Sequence, residues 1–205
     1  MPHDSTTITA AVKHLRRRDK VLKDIIDEVG PFTLKLKTDR FGALVSSIIS
    51  QQISGSAARS IHRRLTELIA PQKISPEALA PLTPVQLRTA GISPQKASYL
   101  LDLAQKVQTG EVRLKKLTRL TDAEVVAELI QVKGIGEWTA QMLMMFSLGR
   151  LDVFPHNDLG IRTALKNLYG LADLPDKQTS HAIATPWRPY ATIASWYCWR
   201  SLELK

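Results

Sequence analysis

Two short stretches hold the residues whose types and spacing can do chemistry. In Leu129-Ile-Gln-Val-Lys-Gly-Ile-Gly-Glu-Trp-Thr-Ala140, Gly134 and Gly136 permit a tight turn with backbone angles that other residues resist. A helix that begins directly after such a turn points several backbone N–H groups outward at the positive end of its dipole, where a phosphate oxygen can sit. Lys133 adds a mobile positive charge on the same rim. In Asp152-Val-Phe-Pro-His-Asn-Asp-Leu-Gly-Ile-Arg162, Asp158 stands 22 residues after Gly136. A single carboxylate beside a developing cation stabilises that charge and can orient or deprotonate an attacking water. Asp152 is the competing carboxylate, but its place before the Phe-Pro turn suits a capping or loop-bracing role. Asp158 also suits an ordinary N-cap of a helix over Leu159–Leu168, and the two roles are compatible.

Those residues need helices to position them. Val125, Val126, Leu129 and Ile130 have the spacing of an apolar helical face, with Thr121 or Asp122 as N-cap, which predicts a helix from about Asp122 to Gln131. Trp138, Met142, Met145 and Phe146 restart a helical stripe that Gly149 closes. The unit is helix, hairpin, helix. A G-x-G turn alone would equally be an ordinary helical hairpin.

Elsewhere, Leu44, Val45, Ile48 and Ile49 mark a helix over Phe41–Ile53, and Ala58, Ile61, Leu65 and Leu68 another over Ala57–Leu68. Pro71, Pro76, Pro81 and Pro84 punctuate the next stretch; further helices are expected over Pro84–Thr89 and Pro94–Gln108, before Gly110 and a basic linker ending near Leu120. Only fragments such as Thr33–Lys37 alternate with period two, so the fold class is all-α, without internal repeat or low-complexity tract.

Composition narrows the partners. A chain of 205 residues can bury a core as one domain or two joined lobes, and its net charge of +9 favours a polyanion. The densest basic run, Lys13, Arg16, Arg17, Arg18, Lys20 and Lys23, is expected on an N-terminal helix facing solvent. No run of about 18 apolar residues and no secretory signal is present, so no membrane partner and a cytoplasmic, nucleoid-associated location are expected. Cys198 is the only cysteine, so a four-thiolate iron–sulfur cluster cannot be built. His3, His14, His62, His156 and His181 show no zinc-ligand spacing. Nothing resembles a heptad seam, and a monomer is expected.

The hairpin, followed by the Gly/Pro/Asp loop from Leu148-Gly149-Arg150 through Pro155 to Asp158, resembles the signature of the helix-hairpin-helix DNA glycosylase superfamily. The likeness is most specific to the alkylbase branch, the 3-methyladenine DNA glycosylase II type. It rests on Ile49-Ser-Gln-Gln-Ile-Ser54, Gly91-Ile-Ser-Pro-Gln-Lys-Ala97, the Gly-Ile-Gly-Glu-Trp-Thr-Ala hairpin, and Pro186-Trp-Arg-Pro-Tyr-Ala191 leading to Trp196-Tyr197. These landmarks run from about Phe41 to Trp199, and residues before them match loosely.

The resemblance implies two helical lobes with a cleft between them. Residues 1–40 would pack with the C-terminal lobe, 41–155 would form the central lobe with the hairpin, and 156–205 would carry the catalytic aspartate and pocket aromatics. It implies that Asp158 is catalytic and that double-stranded DNA containing damaged bases is the partner. A base would be flipped out and an alkylated purine of the 3-methyladenine or 7-methylguanine class hydrolysed from its sugar, as in base excision repair. Gln51, Gln52, Ile53, Lys133, Gly134, Gly136 and Thr139 would contact DNA, Gln52 mapping to the wedge that fills the gap and Gln51 or Ile53 being the alternatives. Trp138, Trp196, Met142 and Tyr197 would line the base pocket, where aromatic faces suit a cationic base; Trp187 and Trp199 are assigned to the core. Glycosylases that also nick DNA place a lysine where this chain has Trp138, which implies an enzyme without lyase activity. No cofactor is required, although the hairpin of the family often holds an alkali-metal ion through backbone carbonyls, here those of Ile130, Val132 and Ile135. Glu137 would repel a nearby phosphate and is expected to turn aside. A non-catalytic damage-binding protein is the second reading, and hypoxanthine, ethenoadenine or uracil are alternative lesions.

Overall fold

The computed structural model describes residues 4–204, so His3 lies outside the described residues. The elements in chain order are α1 (Ser5–Arg18), α2 (Lys20–Val29), α3 (Arg40–Ser50), α4 (Gly55–Leu68), α5 (Pro76–Leu79), α6 (Pro84–Thr89), α7 (Pro94–Thr109), α8 (Asp122–Leu129), α9 (Glu137–Phe146), α10 (Leu159–Leu168), α11 (Lys177–Ala184) and α12 (Ala191–Ser201). Two 3-10 turns, Leu114–Arg119 and Thr185–Trp187, join α7 to α8 and α11 to α12. The fold is all-helical: no strand occurs among the described residues, Thr33–Lys37 included. No helix among them is long and apolar enough to cross a membrane.

Capping explains most boundaries. The Thr121 side chain accepts from Glu124 N–H while Glu124 reaches back to Thr121 N–H, a capping box that starts α8. That helix ends at Leu129 instead of running to Gln131, since the hairpin turn begins at once. α3 likewise stops at Ser50 rather than Ile53, because Gln52 takes a positive φ of 55° that no helix continues through. The N-terminal basic run does not lie on one helix; Asp19 is extended, ends α1 and caps α2.

The chain divides into two compact units, one running to Leu36 and resuming at Met144, the other spanning Lys37–Leu143. Residues 144–155 therefore belong with the chain ends and not with the central segment where 41–155 had placed them. The reason is local: Thr192 Oγ1 donates to Arg150 O at 2.7 Å, Thr192 N–H to Leu151 O at 2.9 Å, and Val153 N–H to Thr192 Oγ1 at 3.0 Å. Asp152 braces the same loop, accepting from Arg188 Nε at 2.9 Å and from Ala191 N–H at 3.4 Å. That is the structural role its position suggested.

In the terminal unit, Leu15, Leu22, Ile26, Ile161, Leu165, Trp187, Ile193 and Tyr197 form a buried cluster. Asp19 fastens its edge. Beyond capping Leu22 N–H, its Oδ2 accepts from Trp187 Nε1 at 2.8 Å and from the Tyr169 hydroxyl at 2.5 Å. Burial and the neighbouring carboxylate push the Tyr169 phenol far above its ordinary pKa. Cys198 is fully buried and its thiol is pushed up by desolvation, as fits a small core residue. In the other unit α7 is the central member. Ser93 and Pro94 start it, Ala97, Leu100, Leu103 and Ala104 give it a buried face, and it packs against α3, α5 and α6.

Candidate functional site

The central unit supplies the hairpin and the turn after α3. Between α8 and α9 the backbone makes two tight turns in succession, Val132 N–H to Leu129 O and Ile135 N–H to Val132 O, each at 3.1 Å. The buried side chains of Val132 and Ile135 anchor the loop from beneath. Gly134 is needed twice over. Its φ is +77°, and a Cβ there would lie 2.1 Å from Tyr99 Cδ2. Gly136 differs from expectation: its φ is ordinary and no atom lies within 4 Å of the Cβ position. Turn geometry therefore does not require Gly136; what it leaves is a flat, exposed backbone.

Not every hairpin N–H faces outward. Lys133 N–H donates to Asp102 Oδ2 at 2.9 Å, so that donor is consumed internally while its side chain remains exposed. Glu137 accepts from Gln141 Nε2 at 3.2 Å, which turns its carboxylate back along α9. Trp138 is 42% exposed, Ile130 51% and Ile53 37%, an uncommon display of large apolar side chains beside the two turns. Met142 is half-buried. Thr139, expected to contact DNA, is only 4% exposed, so its side chain lies on the inner face of α9 and only its backbone is left to meet a partner.

The turn after α3 meets the hairpin directly. Gln51 donates from Nε2 to Gly134 O at 2.8 Å, so its amide is engaged within the protein. Gln52 comes next in the left-handed region, exposed, and Ser54 then caps α4. A non-glycine residue held at positive φ stores on the order of 1 kcal/mol of strain, which persists only where the surroundings over-determine it.

The terminal unit supplies the carboxylate. Asp158 caps α10, accepting at Oδ1 from Ile161 N–H and from Trp199 Nε1, both at 2.8 Å. Gly160 makes that second contact feasible, since a Cβ there would stand 3.0 Å from Asp158 Oδ1 and 3.0 Å from Trp199 Cδ1. Trp199, assigned to the core from sequence, is therefore half-buried against the aspartate, with the Phe146 ring tilted against it at 5.7 Å. Trp187 does lie in the core. Trp196 is half-buried, edge-on to Phe32 at 4.9 Å and to Tyr197 at 4.9 Å, with the Arg200 guanidinium 5.9 Å from its ring centre. Tyr197, expected to line a pocket, is 1% exposed and donates from its hydroxyl to Gly30 O at 3.0 Å; it is a core residue. It faces inward, where its hydroxyl meets the Gly30 carbonyl, while its neighbour on α12, Trp196, stays half-buried.

Three residues that matter to this geometry escaped the sequence reading. Gly160 in the first turn of a helix is a costly choice unless something approaches closely, and that cost was its signal. Trp199 lies three residues after Trp196, one turn along α12. Lys96, which donates to the carbonyls of Ile49 and Gln51, stands in the Gly91–Ala97 landmark, but nothing in the sequence gave it a role of its own. Among the described residues no group of three or more His, Cys, Asp or Glu side chains is arranged to hold a metal ion.

Comparison with known proteins supplies the family. A DNA-3-methyladenine glycosylase 1 from Schizosaccharomyces pombe is 31% identical over 204 residues, 97% of this chain and 90% of its own length. The Bacillus subtilis protein YfjP is 34% identical over 188 residues, 89% of this chain and 66% of its own length. A solved structure of a Schizosaccharomyces pombe 3-methyladenine DNA glycosylase in complex with abasic DNA superposes with a TM-score of 0.87 at 30% identity, covering 95% of this chain and 97% of that one. Residues 45–189 match the model of the HhH-GPD superfamily of base excision DNA repair proteins, and with the hairpin, the Asp158 cap and these relatives in place, the chain belongs to that superfamily.

Proposed function

We propose that this protein is a monomeric, monofunctional DNA glycosylase that hydrolyses alkylated purines, of the 3-methyladenine and 7-methylguanine class, from duplex DNA. The observation that carries the reading is Asp158, a half-buried carboxylate held by two donors on one oxygen. Two fixed hydrogen bonds orient the group before any substrate arrives, so no reorganisation is needed as charge develops.

In the proposed reaction the C1′–N bond of the flipped nucleotide breaks, and its electron pair leaves with the base. An alkylated purine is already cationic, so the departing base becomes neutral without a general acid. Asp158 stabilises the oxocarbenium-like sugar and takes a proton from the water that adds to C1′. The products are free methylpurine, an abasic sugar and a proton passed to solvent. Trp138 occupies the position where a lyase would place its lysine, which supports hydrolysis without strand cleavage. Gln52 is the proposed wedge: exposed, strained and one residue beyond the Gln51 anchor. Trp138 in the central unit and Trp196 in the terminal unit are each, taken separately, a proposed aromatic face for a cationic base. The carbonyls of Ile130, Val132 and Ile135 are the groups proposed to hold an alkali-metal ion, Val132 O with the lone pair left over from accepting Ile135 N–H, and such an ion would add positive charge beside a bound phosphate.

The test is to incubate the protein with methylated duplex DNA, identify the released bases by mass, and score strand breaks before and after alkali. Released 3-methyladenine and 7-methylguanine with breaks only after alkali is the expected result. Breaks before alkali would remove the monofunctional reading. Tight binding to damaged duplex without any release would replace the enzyme with a damage reader.

A further inference from the structure

We propose that one face of α7 is a positioning strip that sets the Gln51–Ile53 turn and the hairpin as a single body, with Lys96 the residue through which the turn is held. The inference deepens the glycosylase reading and rests on it for the step affected, base extrusion.

Four side chains on α7 make the connection, at positions 96, 99, 102 and 106, spaced to share a face of the helix. Lys96 Nζ donates to Ile49 O at 2.7 Å and to Gln51 O at 2.6 Å. These carbonyls lie at the C-terminal end of α3, where helix carbonyls lack partners and partial negative charge accumulates. An ammonium bridging them satisfies both and fixes where the helix stops. Lys96 is half-buried; desolvation disfavours its ammonium and lowers its pKa, and the two carbonyl acceptors offset part of that cost.

The other three residues hold the hairpin. The Tyr99 ring lies beneath Gly134 so closely that no side chain fits there. Asp102 accepts Lys133 N–H at 2.9 Å and pairs with Lys106 Nζ at 3.3 Å, and Lys106 also donates to Gln131 O. The loop closes when Gln51 Nε2 donates to Gly134 O at 2.8 Å. Turn and hairpin are thus joined to the same helix and to each other. Gln52 owes its left-handed backbone to this arrangement, because its predecessor is pinned at both its carbonyl and its side chain. A wedge pushed into a base stack must resist being pushed back, and an anchored turn supplies that resistance where a free loop would yield.

The experiment compares wild type with Lys96→Met, which keeps the stem and removes the donors, and Lys96→Arg, whose guanidinium can reach both carbonyls. Three readouts are taken: duplex affinity, fluorescence of a 2-aminopurine placed beside an abasic site as the report of base unstacking, and amide hydrogen exchange at Gln51, Ile53 and Ile135. Lys96→Met should bind duplex within about threefold of wild type, lose most of the unstacking signal and release base at least tenfold more slowly at saturating DNA. Exchange at Gln51 and Ile53 should rise about tenfold, with a smaller rise at Ile135 carried through Gln51 to the hairpin. Lys96→Arg should recover most of the loss. Wild-type unstacking and exchange in Lys96→Met would overturn the proposal. Should that variant not fold, Lys96→Gln, keeping one donor, is read by the same criteria. If the wild type releases no base, the enzymatic reading fails, while the exchange pattern still decides for or against the strip.

Discussion

Replacing Gly134 by alanine forces a side chain into two conflicts at once. The backbone conflict is a φ of +77°, which costs an L-residue about 1–2 kcal/mol. The packing conflict is with Tyr99, whose Cδ2, Cε2 and Cγ would lie 2.1, 2.3 and 2.5 Å from the new Cβ. Ordinary carbon contact needs about 3.5 Å or more, so the ring must withdraw by more than about 1 Å, and overpacking of this kind costs roughly 1–3 kcal/mol. Withdrawal also strains the hydrogen bond that Gln95 Nε2 donates to the Tyr99 hydroxyl at 2.8 Å. Together the two terms destabilise Gly134→Ala by about 3 kcal/mol. Tyr99→Ala removes the second conflict and leaves the first. The double variant should therefore be more stable than the sum of the singles predicts, by about 1–3 kcal/mol. Urea unfolding of the four proteins followed by tryptophan fluorescence gives the cycle, and duplex affinity of the folded variants reports the hairpin itself. Effects that add to within about 0.5 kcal/mol would refute the argument that Tyr99 dictates glycine here.

Gln52→Gly relieves the left-handed strain and should leave unfolding free energy level or raise it by about 0.5 kcal/mol, while base release falls at least tenfold; a variant that is stable and fully active would remove Gln52 as the wedge. Trp199→Phe keeps the ring against Phe146 but deletes one donor to Asp158, a charge-assisted bond worth roughly 1.5–3 kcal/mol, so single-turnover release should drop at least tenfold in a folded protein. Unchanged release would show that the indole only packs. Asp19→Ala loses a helix cap and strands the Trp187 and Tyr169 donors, costing about 3 kcal/mol in unfolding experiments; a loss under 1 kcal/mol would mean solvent replaces the carboxylate.

The helices were legible in the sequence because capping residues and apolar periodicity agree: α6 and α10 run over the expected residues, and α8 has the Thr121 cap. Asp158 was legible as both cap and candidate base, since its place fixes the first role and its chemistry the second. What the sequence withheld were contacts between distant residues. Nothing near Asp19 announces partners 150 and 168 residues away, and nothing in a lysine on α7 says that its ammonium reaches the carbonyls of α3. The burial of Tyr197 and the bond from Trp199, which packs against the core, to Asp158 were missed for a related reason. On α12 the neighbours Trp196, Tyr197 and Trp199 are all large aromatics, so periodicity alone does not say which faces inward, and the Gly30 carbonyl and Asp158 carboxylate decide it.

The role of Asp158 is decided by single-turnover release of 3-methyladenine from methylated duplex by wild type and Asp158→Asn. The amide retains an oxygen that accepts from Ile161 N–H and Trp199 Nε1, so the cap, the fold and duplex affinity should persist while the negative charge and the proton acceptor vanish. Catalysis by the Asp158 carboxylate requires unchanged binding with release slowed by roughly 10²–10³-fold. Release at the wild-type rate by a folded Asp158→Asn protein would contradict it.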